Sequence, residues 1–389
     1  MNIKRNLLLT ILGVLIIVLS FGAGFAYSQL LSPRAAPELP EEFDVLGEVW
    51  EFLSEDYVNK EAVDPAELSE GAIEGMLEAL GDPYTSYVES YELAWSAFEG
   101  SFEGIGAIVS MEDGELTVVS PIASGPAERQ GVRAGDKILE VDGEPTAGMS
   151  LAEAVLRIRG PKGTTVTLLI LHQGETTPVT IEIVREEITL DSVYLDMLPD
   201  NIAHVRITYF SERTHEEFTA VLNNALQSGA LGIILDLRGN PGGYLQGVVD
   251  VASEFLDGGI VLYEADDEGD IIKEWSASSG GLATELPLVV LVDGGSASGS
   301  EVLAGALQDR GRAKLIGTRT YGKGSVCIVR ELSDGSGLYV TTARWLTPDR
   351  RLIEGVGLSP DFEVEITEED IASGQDPQLE FAIDYLEAQ

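Results

Sequence analysis

Residues 286–326 hold the groups best suited to nucleophilic chemistry. Leu286 to Val292 is a short apolar run, as expected of a strand buried on both faces. Asp293, Gly294 and Gly295 break it, and Ser296, Ala297 and Ser298 follow. Glu301, Val302, Leu303, Ala306 and Leu307 then recur at helical spacing. A small-residue turn between a buried strand and a helix lifts a serine hydroxyl out at the helix N-terminus. Backbone N–H groups and the positive end of the helix dipole converge there, which suits an attacking oxygen and an oxyanion. The stretch closes on Gly322-Lys323-Gly324, a lysine between two glycines.

A serine nucleophile needs a base. The chain has three histidines, His172, His204 and His215, none in a glycine-rich or strand-end context. His204 lies in the alternating run 203–208 and His215 beside Glu216 and Glu217, so structural or solvent-facing roles are expected. A lysine replaces histidine as base when desolvation keeps it neutral, and serine–lysine pairs are a known variant of the triad.

The run Ser296-Ala297-Ser298-Gly299-Ser300-Glu301, then Gln308-Asp309, then residues 320–326 (Thr-Tyr-Gly-Lys-Gly-Ser-Val) resembles the C-terminal processing peptidases. These are tail-specific serine proteases with an internal PDZ domain. The resemblance implies Ser298 as nucleophile, Lys323 as general base and a structural role for Asp309. Many relatives place a glutamine, hydrogen-bonded to the lysine, four residues after it. Here that lysine-orienting position is Cys327, the single cysteine of the chain, and a thiol is a poor hydrogen-bond partner. The alternative reading is a catalytically impaired peptide-binding scaffold. A small-molecule hydrolase on the same core is a third, but it leaves a peptide module unexplained, and the serine run misses the Gly-x-Ser-x-Gly frame.

The elements that must position these residues can be read outward from them. Leu231 to Asp236 is a second buried run, ending in Leu237-Arg238-Gly239-Asn240-Pro241-Gly242-Gly243, with a helical pattern from Val248 to Leu256. Strand, glycine loop and helix thus occur twice, which predicts an α/β core with both loops at the strand ends. The glycine run matches the family motif, and by that resemblance the N–H groups of Gly243 and Gly299 form the oxyanion hole and the core is crotonase-like. No Gly-Lys-Ser/Thr follows the glycines, so a phosphate loop is not expected. Asp293 and Glu301 lack partners at ligand spacing, so neither metal nor cofactor is expected.

Residues 98–187 hold five short apolar runs, 105–109, 116–119, 137–141, 166–171 and 179–184, with helical patterns near 126–130 and 151–159. This predicts a small β-rich barrel, and the order, with Val132-Arg133-Ala134-Gly135-Asp136, resembles a PDZ domain. Its carboxylate-binding loop maps to Gly104, Ile105, Gly106 and Ala107, where glycines let N–H groups converge on a chain terminus. The adjoining strand can accept a peptide by strand addition. Ile105 and the 151–156 face are expected to hold an apolar terminal side chain. Arg159 matches a family arginine near the contact with the catalytic part.

Five segments are expected. Residues 1–40 form a signal or membrane anchor and linker, 41–97 an N-terminal helical segment, 98–187 the PDZ domain, 188–365 the catalytic domain and 366–389 a C-terminal helical tail. Leu7 to Tyr27 is uncharged and follows Lys4 and Arg5, so it is long enough to cross a bilayer with its start cytoplasmic. An uncleaved anchor is favoured over a cleaved signal peptide. Either places the rest outside the cytoplasm. In the helical segment Asp64-Pro65-Ala66-Glu67 is a helix start. Packing or homodimerisation is the expected role there, and residues 81–87 (Gly-Asp-Pro-Tyr-Thr-Ser-Tyr) resemble a family stretch with no chemistry assigned. The formal charge of −42 repels nucleic acid and anionic lipid. Polypeptides with free C-termini are the expected partners.

Overall fold

The computed structural model describes residues 39–112 and 114–388. The expected membrane segment, residues 7–27, lies outside them. Among the described residues no helix is long and apolar enough to cross a membrane.

The catalytic part is built on a six-stranded sheet. Its order is Val193–Leu198, Ile202–Ile207, Gly232–Asp236, Leu288–Val292, Lys314–Gly317 and Phe362–Glu363. The first pair is antiparallel and every later neighbour is parallel. All five residues of Gly232–Asp236 and of Leu288–Val292 are buried. Their alternation sends Ile233, Leu235, Leu288, Val290 and Val292 into a core shared with the helices Thr214–Gln227, Leu245–Phe255 and Gly299–Asp309. Ile234, Val289 and Leu291 enter a second core with Ala382 and Leu386 of the terminal helix Pro377–Glu387. Cover on both faces is why these strands read as unbroken apolar runs. Burying each such side chain is worth about 1.5–3 kcal/mol. The two loops that follow these strands, 237–244 and 293–298, leave adjacent carboxyl ends, where sites form in open α/β sheets.

A second, antiparallel sheet was only partly legible. It runs Ser86–Val88, Gly337–Leu346, Gly259–Ala265 and Ile271–Ala277, with Ser325–Glu331 also paired to Gly337–Leu346. The alternation at 338–344 announces one strand. The others are half-buried with irregular patterns and carry no clean period. Ser86–Val88 comes from the N-terminal helical segment and pairs with the catalytic sheet in the register Ser86↔Tyr339, Tyr87↔Leu338 and Val88↔Gly337.

The binding module has its own sheet, ordered Ala107–Glu112, Glu115–Pro121, Lys137–Val141, Thr165–Leu171 and Val179–Val184, with Glu144–Pro145 on Lys137–Val141. It encloses a separate core that includes Ile105, Leu116, Val118, Ile138, Leu168, Ile170 and Ile183. The first strand begins at Ala107 rather than Ile105, because Gly106 turns the chain with φ +71°. Sequence reasoning missed the stalk: Ser101–Gly104 pairs antiparallel with Glu186–Thr189, so the chain entering the module lies against the chain leaving it.

Residues 39–72 belong to a separate compact unit. There the helix Asp44–Asp56 and the opening of Pro65–Leu80 line an apolar groove through Leu46, Val49, Trp50, Leu53 and Leu68. Asp64 Oδ1 accepts the N–H of Ala66 at 2.7 Å, the cap expected with proline at the first helical position.

Candidate active site

Three serines compete in the turn before Gly299–Asp309, and the structure separates them. Ser296 Oγ donates to Leu237 O at 2.8 Å, and Ser300 Oγ donates to Asn240 O at 2.9 Å. Both residues are fully buried, and both hydroxyls stitch this turn to the neighbouring glycine loop. Ala297 N–H joins them, donating to Asn240 O at 3.0 Å. Ser298 alone of the three lines a cavity of about 600 Å³, together with Gly243, Lys323 and Cys327. Its backbone sits at φ 55° and ψ −115°, a conformation that costs a non-glycine residue on the order of 1–3 kcal/mol. Such strain on a strand-to-helix turn is the mark of an exposed nucleophile.

The glycines beside it leave no room for side chains. A Cβ on Gly242 would lie 2.6 Å from Gly299 N and 2.7 Å from Ser298 Cβ, and one on Gly299 would lie 3.5 Å from Gly243 N. The two amides expected as oxyanion donors therefore flank Ser298 closely. Gly299 opens its helix, so its N–H has no intrahelical acceptor. Gly243 N–H donates to no acceptor among the described residues.

The lysine loop is held at every amide from Thr320 to Gly324. Thr320 N–H donates to Leu358 O at 3.1 Å, and Tyr321 N–H to Ser296 O at 3.0 Å. Gly322 N–H and Lys323 N–H donate to Glu301 Oε1 and Oε2 at 2.7 and 2.8 Å. Gly324 N–H donates to Glu354 Oε2 at 2.8 Å. Glu301 also accepts Ser298 N–H at 2.9 Å and Thr320 Oγ1 at 2.5 Å. One fully buried carboxylate thus grips both the serine turn and the lysine loop. Burial pushes its carboxyl above the ordinary 4.5, against the pull of those four donors. Sequence analysis weighed Glu301 only as a metal ligand. Its place three residues after a serine is the capping-box signal that could have revealed it.

Lys323 forms no ion pair among the described residues, and its Nζ lies over the ring of Tyr84, 5.4 Å from the centroid. Cys327, expected at the lysine-orienting position, lines the same cavity. Its Sγ faces Tyr84 O at 3.8 Å and Thr341 Oγ1 at 3.7 Å. The rest of the cavity is largely apolar and aromatic, with Trp95, Phe98, Tyr244, Leu245, Trp275 and Ile328 on its walls. Trp275 Nε1 donates to Glu264 at 2.7 Å, while Lys273 Nζ stacks on its ring at 3.6 Å. Asp309 accepts from Arg351 and from Asp349 N–H at 2.9 Å, tying the end of the serine helix to the turn at 347–351. No cluster of three or more metal-ligating side chains occurs among the described residues.

Gly104, Ile105, Gly106 and Ala107 do not line this cavity; they belong to the binding module. Gly104, Ile105 and Gly106 are buried. The carbonyls of Ile105 and Gly106 accept Ala127 N–H at 2.8 Å and Ile122 N–H at 2.9 Å. The following strand, Ala107–Glu112, is the edge of its sheet and runs beside the helix Leu151–Ile158, where Leu151 and Leu156 are exposed. Arg159 joins the module to the helix Tyr91–Glu99, donating to Ser96 Oγ at 2.8 Å and covering the Phe102 ring at 4.5 Å.

The family model for peptidase family S41 matches residues 201–364, that for the PDZ domain residues 97–171, and that for the N-terminal domain of the activating protease CtpB residues 27–91. The carboxy-terminal processing protease CtpA of Bacillus subtilis is 38% identical over 342 residues, which cover 87% of this chain and 72% of the relative. The carboxyl-terminal-processing protease of Synechocystis is 39% identical over 348 residues, 87% of this chain and 81% of its own. A crystal structure described as an S41 protease from Bacteroides fragilis aligns with a TM-score of 0.51 at 13% identity, covering 92% of this chain and 99% of that one, and speaks to the fold alone. The chain therefore belongs to peptidase family S41, among the carboxy-terminal processing serine proteases that carry a PDZ domain.

Proposed function

We propose that this protease works by a serine–lysine mechanism, with Ser298 as nucleophile and Lys323 as general base. The observation that carries this reading is the shared cavity: of the three serines, only the strained Ser298 opens onto it, and Lys323 lines it too. Neutral Lys323 Nζ takes the proton of Ser298 Oγ as the oxygen attacks the scissile carbonyl. The N–H groups of Gly243 and Gly299 hold the developing oxyanion, each worth about 3 kcal/mol in the transition state. The lysine then protonates the leaving amine, and water hydrolyses the acyl-enzyme. Substrate polypeptides are delivered by their free C-termini. The tail adds to the edge strand Ala107–Glu112, its carboxylate meets the loop at Gly104–Ala107, and its last side chain packs on the exposed Leu151 and Leu156.

Ser298→Ala and Lys323→Ala should each abolish cleavage of a tailed polypeptide while leaving the circular-dichroism spectrum unchanged. Turnover in either variant would reject the assignment. Loss of turnover in the wild type, with tail binding intact, would favour the scaffold reading that Cys327 raises.

The apolar stretch 7–27 supports a membrane anchor with the remaining chain outside the cytoplasm, and the apolar residues exposed on Asp44–Asp56, including Val45, Trp50 and Phe52, support a homodimer. Membrane fractionation of the full chain and sedimentation of the detergent-extracted protein test these two assignments. A protein found free in the cytoplasmic fraction, or sedimenting as a monomer, would refute them.

A further inference from the structure

Nothing in the sequence gives residues 81–87 a chemical role, yet the fold brings Tyr84 beneath the lysine. The Lys323 amine sits over its ring at 5.4 Å. Tyr84 itself is pinned on several sides. Its phenol lies near the Glu354 carboxylate, which accepts Gly324 N–H at 2.8 Å. Its carbonyl faces Cys327 Sγ at 3.8 Å. Its N–H donates to Asp82 Oδ1 at 3.0 Å, and Asp82 Oδ2 accepts Thr85 Oγ1 at 2.6 Å. Thr341 N–H donates to Thr85 Oγ1 at 3.1 Å, and the adjoining strand Ser86–Val88 is zipped to Gly337–Leu346.

We propose that Tyr84 is the positioning residue for Lys323, in the place that Cys327 leaves vacant. The inference rests on the serine–lysine reading. A lysine stem has four rotatable torsions, and a base is useful only when its amine is aimed at the hydroxyl. The thiol at 327 is short and a weak partner, and it is turned toward Tyr84 O and Thr341 Oγ1 instead of reaching out. The ring of Tyr84 supplies a surface that steers the amine without the fixed charge of a carboxylate, which would hold it as ammonium. The ionisable groups around the phenol are Glu354, Tyr321 and Glu301, with Cys327 beside its carbonyl. Burial and then Glu354 push the phenol up to about 12, so it stays neutral under the lysine at any working pH.

The test measures kcat and KM on a tailed polypeptide, using the full chain. Tyr84→Phe and Tyr84→Leu are each made in the wild-type and the Cys327→Gln backgrounds. Tyr84→Phe keeps the ring and is expected to retain most turnover. Tyr84→Leu is expected to lower kcat at least about tenfold with KM within about twofold. In the Cys327→Gln background the glutamine takes over the lysine, so the same change should cost less than about threefold. An equal loss in both backgrounds would mean that Tyr84 only supports the fold, and would overturn the proposal. Full turnover in Tyr84→Leu would do the same. Should the leucine variant not fold, Tyr84→Gln replaces it in the same comparison, and the same outcomes support or overturn the proposal. Lys323→Ala separates the layers. An active Lys323→Ala sinks the serine–lysine reading, whereas an inactive one beside indifferent Tyr84 variants sinks only this inference.

Discussion

Ser298 is held in a backbone conformation that other side chains avoid, and the residues around it explain how it stays there. Its N–H is bound by Glu301, its neighbours Ser296 and Ser300 are bonded into the adjacent loop, and Gly242 and Gly299 stand where any Cβ would collide. The strain is sustained by bonds to fully buried groups, which are costly to break. Gly243 is the most confined of the set. It has φ +138°, and a Cβ there would lie 2.0 Å from Phe210 O. Gly243→Ala must therefore swing the amide away from the oxyanion position. The expected result is a kcat loss of about a hundredfold or more, with tail affinity retained. A variant with wild-type kcat would remove Gly243 N–H from the mechanism. Much of this residue-scale picture was legible. The small-residue turn, the Gly-Lys-Gly motif and the glycine run carry it. What the sequence could not tell was which of three serines faces the cavity, because that depends on carbonyls some 60 positions away along the chain. Tyr84 was missed for the same reason, since Lys323 and Glu354 lie far off in sequence, whereas Glu301 carried a local signal in its spacing from Ser298.

At the scale of elements, buried carboxylates join the catalytic parts in addition to their shared apolar core. Glu301 and Glu354 hold the lysine loop, and Asp236 plays a similar part where the strand Gly232–Asp236 meets the terminal helix. Asp236 Oδ2 is 3.0 Å from His204 Nε2 and 2.7 Å from Arg238 Nη2, and Arg238 reaches on to Asp376 at 2.9 Å. Burial would raise the Asp236 carboxyl, but His204 and Arg238 outweigh it and hold it well below the ordinary 3.8. Burial and Arg238 act in the same opposed way on Asp376, and it too is lowered. Both folded values lie below the unfolded ones, so their stabilisation is complete above the ordinary value and fades as pH falls through the folded values. Denaturant midpoints of the wild type should therefore drop steeply below about pH 4. Arg238→Met should be less stable near neutrality by about 3 kcal/mol, since buried Asp236 loses its guanidinium partner and keeps only His204 and one backbone N–H, and its decline with acid should be shallower. Parallel curves for the two proteins would show that this cluster does not carry the acid response. The apolar runs 231–236 and 286–292 announced the central sheet because the strands within them, Gly232–Asp236 and Leu288–Val292, are covered on both faces, although Leu231 at the start of the first run is exposed. The antiparallel sheet did not announce itself, since half-exposed strands with register shifts leave little period to read.

For the whole molecule, the PDZ module and the protease core each have their own apolar interior, and the proposed mechanism assigns tail capture to the first and bond cleavage to the second. A charge of −42 disfavours nucleic acid and anionic lipid as partners. Leu156→Asp places a charge where the terminal side chain should pack. It is expected to raise KM for tailed polypeptides about tenfold or more, with kcat unchanged at saturation. An unchanged KM would place tail capture elsewhere. The module's strands were readable from its short apolar runs, and the place of its glycine loop from the resemblance to a PDZ domain. The pairing of its two ends was not, because Ser101–Gly104 and Glu186–Thr189 are too short and too polar to mark themselves.

That pairing has an evolutionary and practical consequence. Because entry and exit lie side by side for four residues, the module behaves as an insertion that can be lifted out, with a short hairpin closing the gap. A foreign recognition unit whose termini also meet could be spliced onto the same stalk. The core would then keep its scissors and be handed a new address to read.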